Sequence, residues 1–464
     1  MMIVKKFFLS SLFFVFISHI NAQDVLTLRS AIDVAIKNYP AIKAKNAYAK
    51  SSQSLVKEAK SEYLPNLELS AQNFYGTINS VYGPSYGFGG LGAASAGPTF
   101  SKQNWNAAFG SLYLANVNWD FFSFGKAKEK TKVAQSVAVR DLKDYDQEIF
   151  QHKIRVAGAY LTLVADRQLR YSFEKNLART DSVRQLVIRR SVSGLVAGVD
   201  SSQANAQYSS AKISLIQSID KEQEDKHNLS LLLGVDTNAF EIDTSFISSL
   251  PKLQEDYAYD SVNHPVLQYY KSLVDISKEK TRYLRTQYWP TFTLVGLGQT
   301  KGSGFGSNYA TNTSDFTRNY WDGIKPSVGN YLFGLGITWN LTQPLRLSKS
   351  VTAQQWESEA LTQEYNLASQ QIKTQIKISD DKMANALTIY NEAPNQVKAA
   401  TDEYNQQSVK YKNGLTNMVN VTQASFDLIR AETDRDIANS NIWQALLLKS
   451  AALGNFGLFE DQLQ

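Results

Sequence analysis

Two long stretches of this chain repeat one another at fixed spacing, and that duplication limits what it can fold into. Asn38-Tyr39-Pro40 recurs as Asn263-His264-Pro265, and Tyr63-Leu64-Pro65 recurs as Tyr288-Trp289-Pro290, both at an offset of 225. Further along the offset is 220. Val117-Asn118-Trp119 matches Ile337-Thr338-Trp339, Gly194-Leu195 matches Gly414-Leu415, and Leu233-Gly234 matches Leu453-Gly454. The change in offset falls between Pro65 and Trp119, within one loop. Two copies are too few to stack as a solenoid, so the duplicates are expected to complete a ring with other chains.

Each copy has the same layout. A helical segment (41–62, then 266–287) runs into a proline, followed by a charge-poor stretch rich in Gly, Asn and aromatics (64–122, then 290–344). A very long helical stretch comes next (126–193, then 346–413), then a break at glycine and a return helix (200–233, then 420–453). Such long helices would extend ~100 Å at 1.5 Å per residue, and uncapped helices of that length point to coiled-coil packing or a helical tube. The expected domains are a first repeat over 23–235, a linker over 236–262 and a second repeat over 263–464.

The first 22 residues read as a secretory signal, with Lys5 and Lys6 ahead of an apolar core from Phe7 to Ile17 and cleavage after Ala22. With those two lysines removed, the formal charge of +5 becomes +3. There is no basic stripe, so no nucleic-acid partner is expected. The absence of cysteine excludes a disulfide framework and thiolate chemistry. No later apolar run is long enough to span a bilayer as a helix, so entry into a membrane must be as a β-barrel.

The charge-poor stretches fit that requirement. In 331–341, Tyr331, Phe333, Leu335, Ile337, Trp339 and Leu341 alternate with Leu332, Gly334, Gly336, Thr338 and Asn340. In 104–121, Trp105, Ala107, Phe109, Tyr113, Val117, Trp119 and Phe121 oppose Asn104, Asn106, Gly110, Asn116, Asn118 and Asp120. Segments 64–75 and 291–300 are the expected partner strands. Apolar side chains on one face and small or polar ones on the other is the pattern of membrane barrel strands. A soluble sheet also alternates, but it carries Lys, Glu and Arg on its wet face and edges. The loops 77–103 and 302–329 then become extracellular hairpin loops.

Two hairpins give four strands per chain, which cannot close alone. Two chains would give an eight-stranded barrel filled by its own side chains, whereas three give twelve strands and a lumen. The fold class expected is therefore a mixed α and β membrane protein. It combines a long antiparallel α-helical barrel with a transmembrane β-barrel completed by trimerisation.

Leu26-Thr27-Leu28-Arg29-Ser30-Ala31-Ile32-Asp33-Val34-Ala35-Ile36, with Asn38 and Pro40 after it, resembles the opening of the TolC family of outer-membrane efflux and export proteins. Gly194 to Ala204 resembles that family's first helix-turn tip, Gly414 to Ala424 its second, and Leu453-Gly454 its usual end. The resemblance implies a homotrimer in the outer-membrane lipid with its helical barrel in the periplasm. It implies a passive conduit, not an enzyme, within a tripartite efflux pump or type I secretion system. The partners implied are a periplasmic adaptor (membrane fusion) protein and, through it, an inner-membrane pump; segment 236–262 would lie at the family's equatorial belt. A periplasmic coiled-coil scaffold with a small β-domain is the alternative.

The tips are where function is expected: Gly194, Leu195, Val196, Asp200, Tyr411, Gly414, Leu415, Thr416, Asn420 and Gln423. Either glycine can take the left-handed conformation that ends a helix. Asp200 and Asn420 read as N-caps, with Gln203 and Gln423 three residues on as in a capping box. By resemblance these tips meet the adaptor and close the entrance. The family's acidic entrance ring aligns with the neutral Asn420 and Gln423, and a latch arginine aligns with Thr416. Tyr411 and Asp200 are kept.

No cofactor or metal site is expected. Gly87-Phe88-Gly89-Gly90-Leu91-Gly92 fits G-x-G-x-x-G but lacks the strand-to-helix context of a phosphate site. Of the four histidines, His19 leaves with the signal, and His152, His227 and His264 show no ligand spacing and read as solvated helix or turn residues.

Overall fold

The computed structural model describes residues 25–80, 97–237, 240–248, 250–252, 260 and 262–463. The expected signal over 1–22 and the glycine motif at 87–92 lie outside them. In chain order the elements are β1 (Val25–Leu26), α1 (Leu28–Asn38), α2 (Pro40–Ser61), β2 (Asn66–Thr77), β3 (Ala107–Phe122), α3 (Lys126–Val192), α4 (Gly198–Leu233), β4 (Glu241–Ile242), a 3-10 turn (Ser245–Ser248), α5 (Pro265–Thr286), β5 (Thr291–Ser303), α6 (Tyr320–Ile324), β6 (Val328–Thr338), α7 (Gln343–Lys412), α8 (Met418–Leu453) and α9 (Gly457–Glu460). The chain divides into two units, one comprising residues 1–46, 144–268 and 367–464 and the other 47–143 and 269–366.

The first unit is helical. Thr27 opens α1 by accepting a hydrogen bond from the Ser30 amide at 3.2 Å. The spacing of Leu28, Ala31, Ile32 and Ala35 then turns one apolar stripe inward. The helix stops at Tyr39 because the following Pro40 disfavours a helical backbone before it. Its stripe packs with Val156, Tyr160 and Leu163 of α3, Leu229 and Leu233 of α4, and Ile442, Trp443 and Leu446 of α8. The short parallel pair β1–β4 is clamped by Tyr160, whose hydroxyl lies 2.6 Å from the Leu26 carbonyl and accepts from the Asp243 amide at 2.9 Å.

The return helices end alike. Gly234 and Gly454 take φ of +65° and +71°, and the next amide bonds back to the carbonyls of Ser230 and Ser450. Each glycine faces the Asn-x-Pro turn that opens its own repeat: a Cβ on Gly234 would lie 3.2 Å from Asn38 Cβ, and one on Gly454 2.5 Å from His264 Cδ2. The duplicated motifs at either end of a repeat are thus one packed joint.

Two histidines correct the solvated reading. His152 is fully buried, stacked on Tyr39 with ring centroids 3.8 Å apart and its Nε2 3.1 Å from the Leu232 carbonyl. His264 is buried beneath Gly454. Burial holds both below the usual imidazole range. His227 stays exposed.

The second unit carries a four-stranded antiparallel sheet in the order β2-β3-β5-β6. Its register sorts the side chains by face. Leu67, Val117, Gly296 and Phe333 stand in one cross-strand row, and Leu69, Ala115, Gly298 and Tyr331 in the next on the same side. The opposite face holds Glu68, Asn116, Leu297 and Leu332, then Ser70, Leu114, Gln299 and Asn330. The apolar runs read separately from each strand therefore merge into one face. A bulge between Trp119 and Phe122 brings Phe122, not Phe121, into register with Phe292. Phe124 and Trp289 stack beside that pair, their rings 5.3 Å apart. The outer edges of β2 and β6 have no strand beside them among the described residues.

Trp119 lies in β3, whereas β6 ends at Thr338 and leaves Trp339 just beyond it. The two remain counterparts: the Trp119 indole donates to the Tyr63 carbonyl at 2.8 Å, and the Trp339 indole to the Tyr288 carbonyl at 3.2 Å. Both repeats thus pin the strand's end to the tyrosine two residues before the proline that precedes the next strand.

Candidate functional site at the helix-turn tips

The turns joining α3 to α4 and α7 to α8 are built the same way. Gly194 and Gly414 sit at φ of +70° and +73° with open space around them. The next amide, from Leu195 or Leu415, bonds back to Arg190 or Lys410 at 2.8 Å in each case. A left-handed residue lets the chain reverse while closing the last carbonyls of the long helix, and glycine takes that conformation without strain. Leu195 and Leu415 project outward, 67% and 75% exposed. Val196 turns inward against a small core of Val187, Ala204, Tyr411, Met418 and Val421.

The capping expectation needs correction. α8 is capped by Asn417, whose side chain accepts from the Asn420 amide at 3.1 Å. α4 begins after Ala197, which offers no side chain for the purpose. Asp200 and Asn420 each lie within the first turn of their helices, three residues past the cap position. The sequence pattern of an acid or amide followed three residues later by Gln fits either register; the Asn at 417 is what moves the start forward. Asn420 donates instead to Thr416 Oγ1 at 2.9 Å, and Gln423 to Asp427 at 3.0 Å.

Freed from capping, Asp200 accepts a hydrogen bond from the Tyr411 hydroxyl at 3.1 Å. Tyr411 is only 4% exposed. Burial, then the neighbouring Asp200 charge, pushes its phenol up to about 12. Arg190 closes the other side. Its Nη1 donates to the Tyr411 and Lys412 carbonyls at 3.0 and 2.8 Å, and its guanidinium lies 5.8 Å from the centre of the Tyr411 ring. These carbonyls belong to the last turn of α7, where no amide of the same helix reaches them. Arg190 escaped the sequence reading. A basic residue four positions before a tip glycine complements a helix C-terminus, and that was the available signal.

The structure therefore brings Asp200, Tyr411 and Val196 together and pairs Thr416 with Asn420, while Gln423 faces Asp427. The last turns of the two long helices are basic, with Arg189 and Arg190 ending α3 and Lys410 and Lys412 ending α7. Among the described residues no cluster of His, Asp and Glu could hold a metal ion, and no helix is long and apolar enough to cross a membrane.

A second electrostatic feature lies where α3 meets α4 within the helical unit. Burial, and then the hydrogen bond to Asp225, raise the Asp166 carboxyl to about 7. Burial opposes ionisation of Asp225 too, but hydrogen bonds from Asp166, Asn228 and Lys221 hold it below the usual range. Around the pair, Arg167 bridges Glu222 and Glu241 at 3.0 and 2.8 Å, and Arg170 meets Glu222 at 2.6 Å.

The model of the outer membrane efflux protein family matches residues 31–235, which run from α1 through both strands of the first hairpin to the end of α4. Over those residues the chain is similar to outer membrane efflux proteins. Among solved structures, the chain is similar to VceC of Vibrio cholerae, with 17% identity and a TM-score of 0.72 over 92% of this chain and 96% of that one. It is similar to the CmeC outer membrane channel of Campylobacter jejuni, with 13% identity and a TM-score of 0.72 over 92% and 85% of the two chains. It is similar also to the MtrE outer membrane channel of Neisseria gonorrhoeae, solved in its open state, with 14% identity and a TM-score of 0.71 over 92% and 89%. These likenesses establish the fold across nearly the whole chain, including the second repeat that the family model does not reach. No curated protein matches in sequence.

Proposed function

We propose that three copies of this chain form an outer-membrane duct that conducts solutes passively from the periplasm to the exterior. The observation that carries this reading is the sheet. Four strands share one apolar and one largely polar face, and β2 and β6 leave open edges. In a bilayer no backbone edge can stay unpaired, so the sheet must close with others. An apolar outer face meets lipid, and Glu68, Asn116, Gln299 and Lys301 line the inside. Repeats over 23–235 and 263–464 supply equal shares of the wall, with segment 236–262 as the link between them.

The tips at Gly194–Asp200 and Gly414–Asn420 are the entrance and the surface that meets a periplasmic adaptor, which couples the duct to an inner-membrane pump. The exposed Leu195 and Leu415 are the apolar part of that surface, and the Asp200–Tyr411–Arg190 cluster holds the turns in shape. Purified protein reconstituted into planar bilayers tests the conduit reading. Discrete single-channel steps are expected, whereas bilayers that stay silent after verified insertion would argue for the scaffold alternative.

A further inference from the structure

The loop between β5 and β6 does not stand away from the sheet; it folds back and lies on the apolar face. The Ser111 hydroxyl donates to the Ile324 carbonyl at 2.9 Å, and the Tyr113 hydroxyl lies 3.3 Å from the same oxygen. The Tyr320 ring meets Phe109 edge-on with centroids 5.1 Å apart, and Asn73 donates to the Tyr320 hydroxyl at 3.3 Å. The approach is close. A Cβ on Gly323 would lie 2.5 Å from Phe109 Cβ, and one on Gly302 2.5 Å from the Lys325 carbonyl oxygen. Register places Phe109, Ser111, Tyr113 and Gly302 on the same face as Val117, Trp119 and Phe333.

That face changes character where α6 sits. Below the loop it is Leu, Val, Ala, Gly and aromatic; at the loop it acquires Asn73, Ser111, Tyr113 and Thr300. From Tyr113 to Phe122 β3 rises about 23 Å at ~3.3 Å per residue and a ~40° tilt, close to the ~25 Å apolar band of membrane barrels. Phe122, Phe292 and Trp289 mark the lower end of the band. At the upper end Trp321 projects from α6, 72% exposed although it is the largest side chain of the loop. α6 packs on β3 and β5, the two central strands, and not on the β2 and β6 edges where another chain would pair.

We propose that α6 is an exterior bracket whose Trp321 lies in the headgroup region of the outer leaflet and fixes how deeply the barrel is immersed. The partner is the lipid surface itself, recognised by an amphipathic indole held at the boundary between apolar and polar rows. This rests on reading the apolar face as lipid-facing, and the test separates the two claims. Because the chain has no cysteine, Trp321→Cys, Leu335→Cys and Ser314→Cys can each carry one fluorophore. The labelled proteins are reconstituted into phosphatidylcholine–phosphatidylglycerol vesicles containing lipid nitroxide-labelled at the headgroup or deep in the acyl chain.

The expected result is loss of fluorescence at 321 mainly with headgroup nitroxide, at 335 mainly with acyl nitroxide, and at 314 with neither. Adding Gly323→Val, which drives a side chain into Phe109, should displace the bracket and abolish the shallow quenching at 321 while leaving 335 unchanged. Quenching at 335 with none at 321 overturns the bracket but leaves the lipid-facing assignment standing. Quenching at 321 that survives Gly323→Val overturns the bracket's packing as the cause. No quenching at either 321 or 335 overturns both claims.

Discussion

The Tyr411 hydroxyl donates to the Asp200 carboxylate across the two tips of one chain, 3.1 Å apart and 211 residues apart in sequence. Each tip comes from a different repeat, so this bond ties the duplicated halves together where the entrance is proposed to lie. A hydrogen bond to a charged acceptor contributes about 1.5–3 kcal/mol net, enough to shift a balanced closed state but not to lock it. We expect Tyr411→Phe combined with Asp200→Ala to raise single-channel conductance, or sensitivity to large antibiotics in cells. Unchanged conductance and sensitivity would remove this contact from the gate.

At the proposed entrance, positions 420 and 423 carry amides in place of carboxylates that would gather cations. Asn420 and Gln423 are neutral and engaged with Thr416 and Asp427, and the nearby long-helix ends carry Arg190, Lys410 and Lys412. Multivalent cations added from the tip side should leave conductance unchanged at physiological salt. Block at low concentration, relieved by Asn420→Ala, would contradict that.

The two kinds of helix-ending glycine should respond differently to the same change. Gly414→Ala meets open space and carries only the left-handed backbone cost, about 1 kcal/mol. Gly454→Ala carries the same cost and also drives Cβ to 2.5 Å from the His264 ring. Thermal unfolding should therefore fall further for Gly454→Ala than for Gly414→Ala. Equal losses would mean the joint between Gly454 and His264 is looser than its geometry.

The fold was legible in the sequence to the extent that it depended on period and repetition. Tyr331, Phe333, Leu335 and Ile337 revealed their shared face because the two-residue alternation is strict, and the four strands per chain followed. What escaped depended on tertiary contact. His152 looked like a solvated helix residue because nothing local shows that Tyr39 will stack on it. The shift of Phe122 into Phe121's place comes from a bulge that periodicity does not encode. At the tips, Asp200 and Asn420 had the residue type for capping, but Asn417 stood three residues earlier, and Arg190 showed its role only once α7 ended beside it. The loop helix carrying Trp321 follows from the close fit of Gly302 and Gly323, a matter of packing.

Stability should depend on pH through Asp166. Its carboxyl, raised to about 7 in the fold, binds its proton more tightly there than in the unfolded chain. The resulting stabilisation is full below the ordinary aspartate range and is lost as pH rises toward 7. Asp225 acts in the opposite sense, being held ionised, so its contribution is lost only in acid. Asp166→Asn should therefore raise the melting temperature more at pH 8 than at pH 5, with Lys221 and Glu222 left in place. A pH-independent effect would show that the pair does not share a proton.

The central claim is that this sheet closes only in threes. The measurement that tests it most directly is the native mass of the purified protein in detergent, with unheated samples compared against boiled ones by electrophoresis. We predict a single species of three chains that falls to one chain on boiling, consistent with a twelve-stranded barrel whose β2 and β6 edges pair between copies. A stable monomer or dimer that retains its β signal would contradict it.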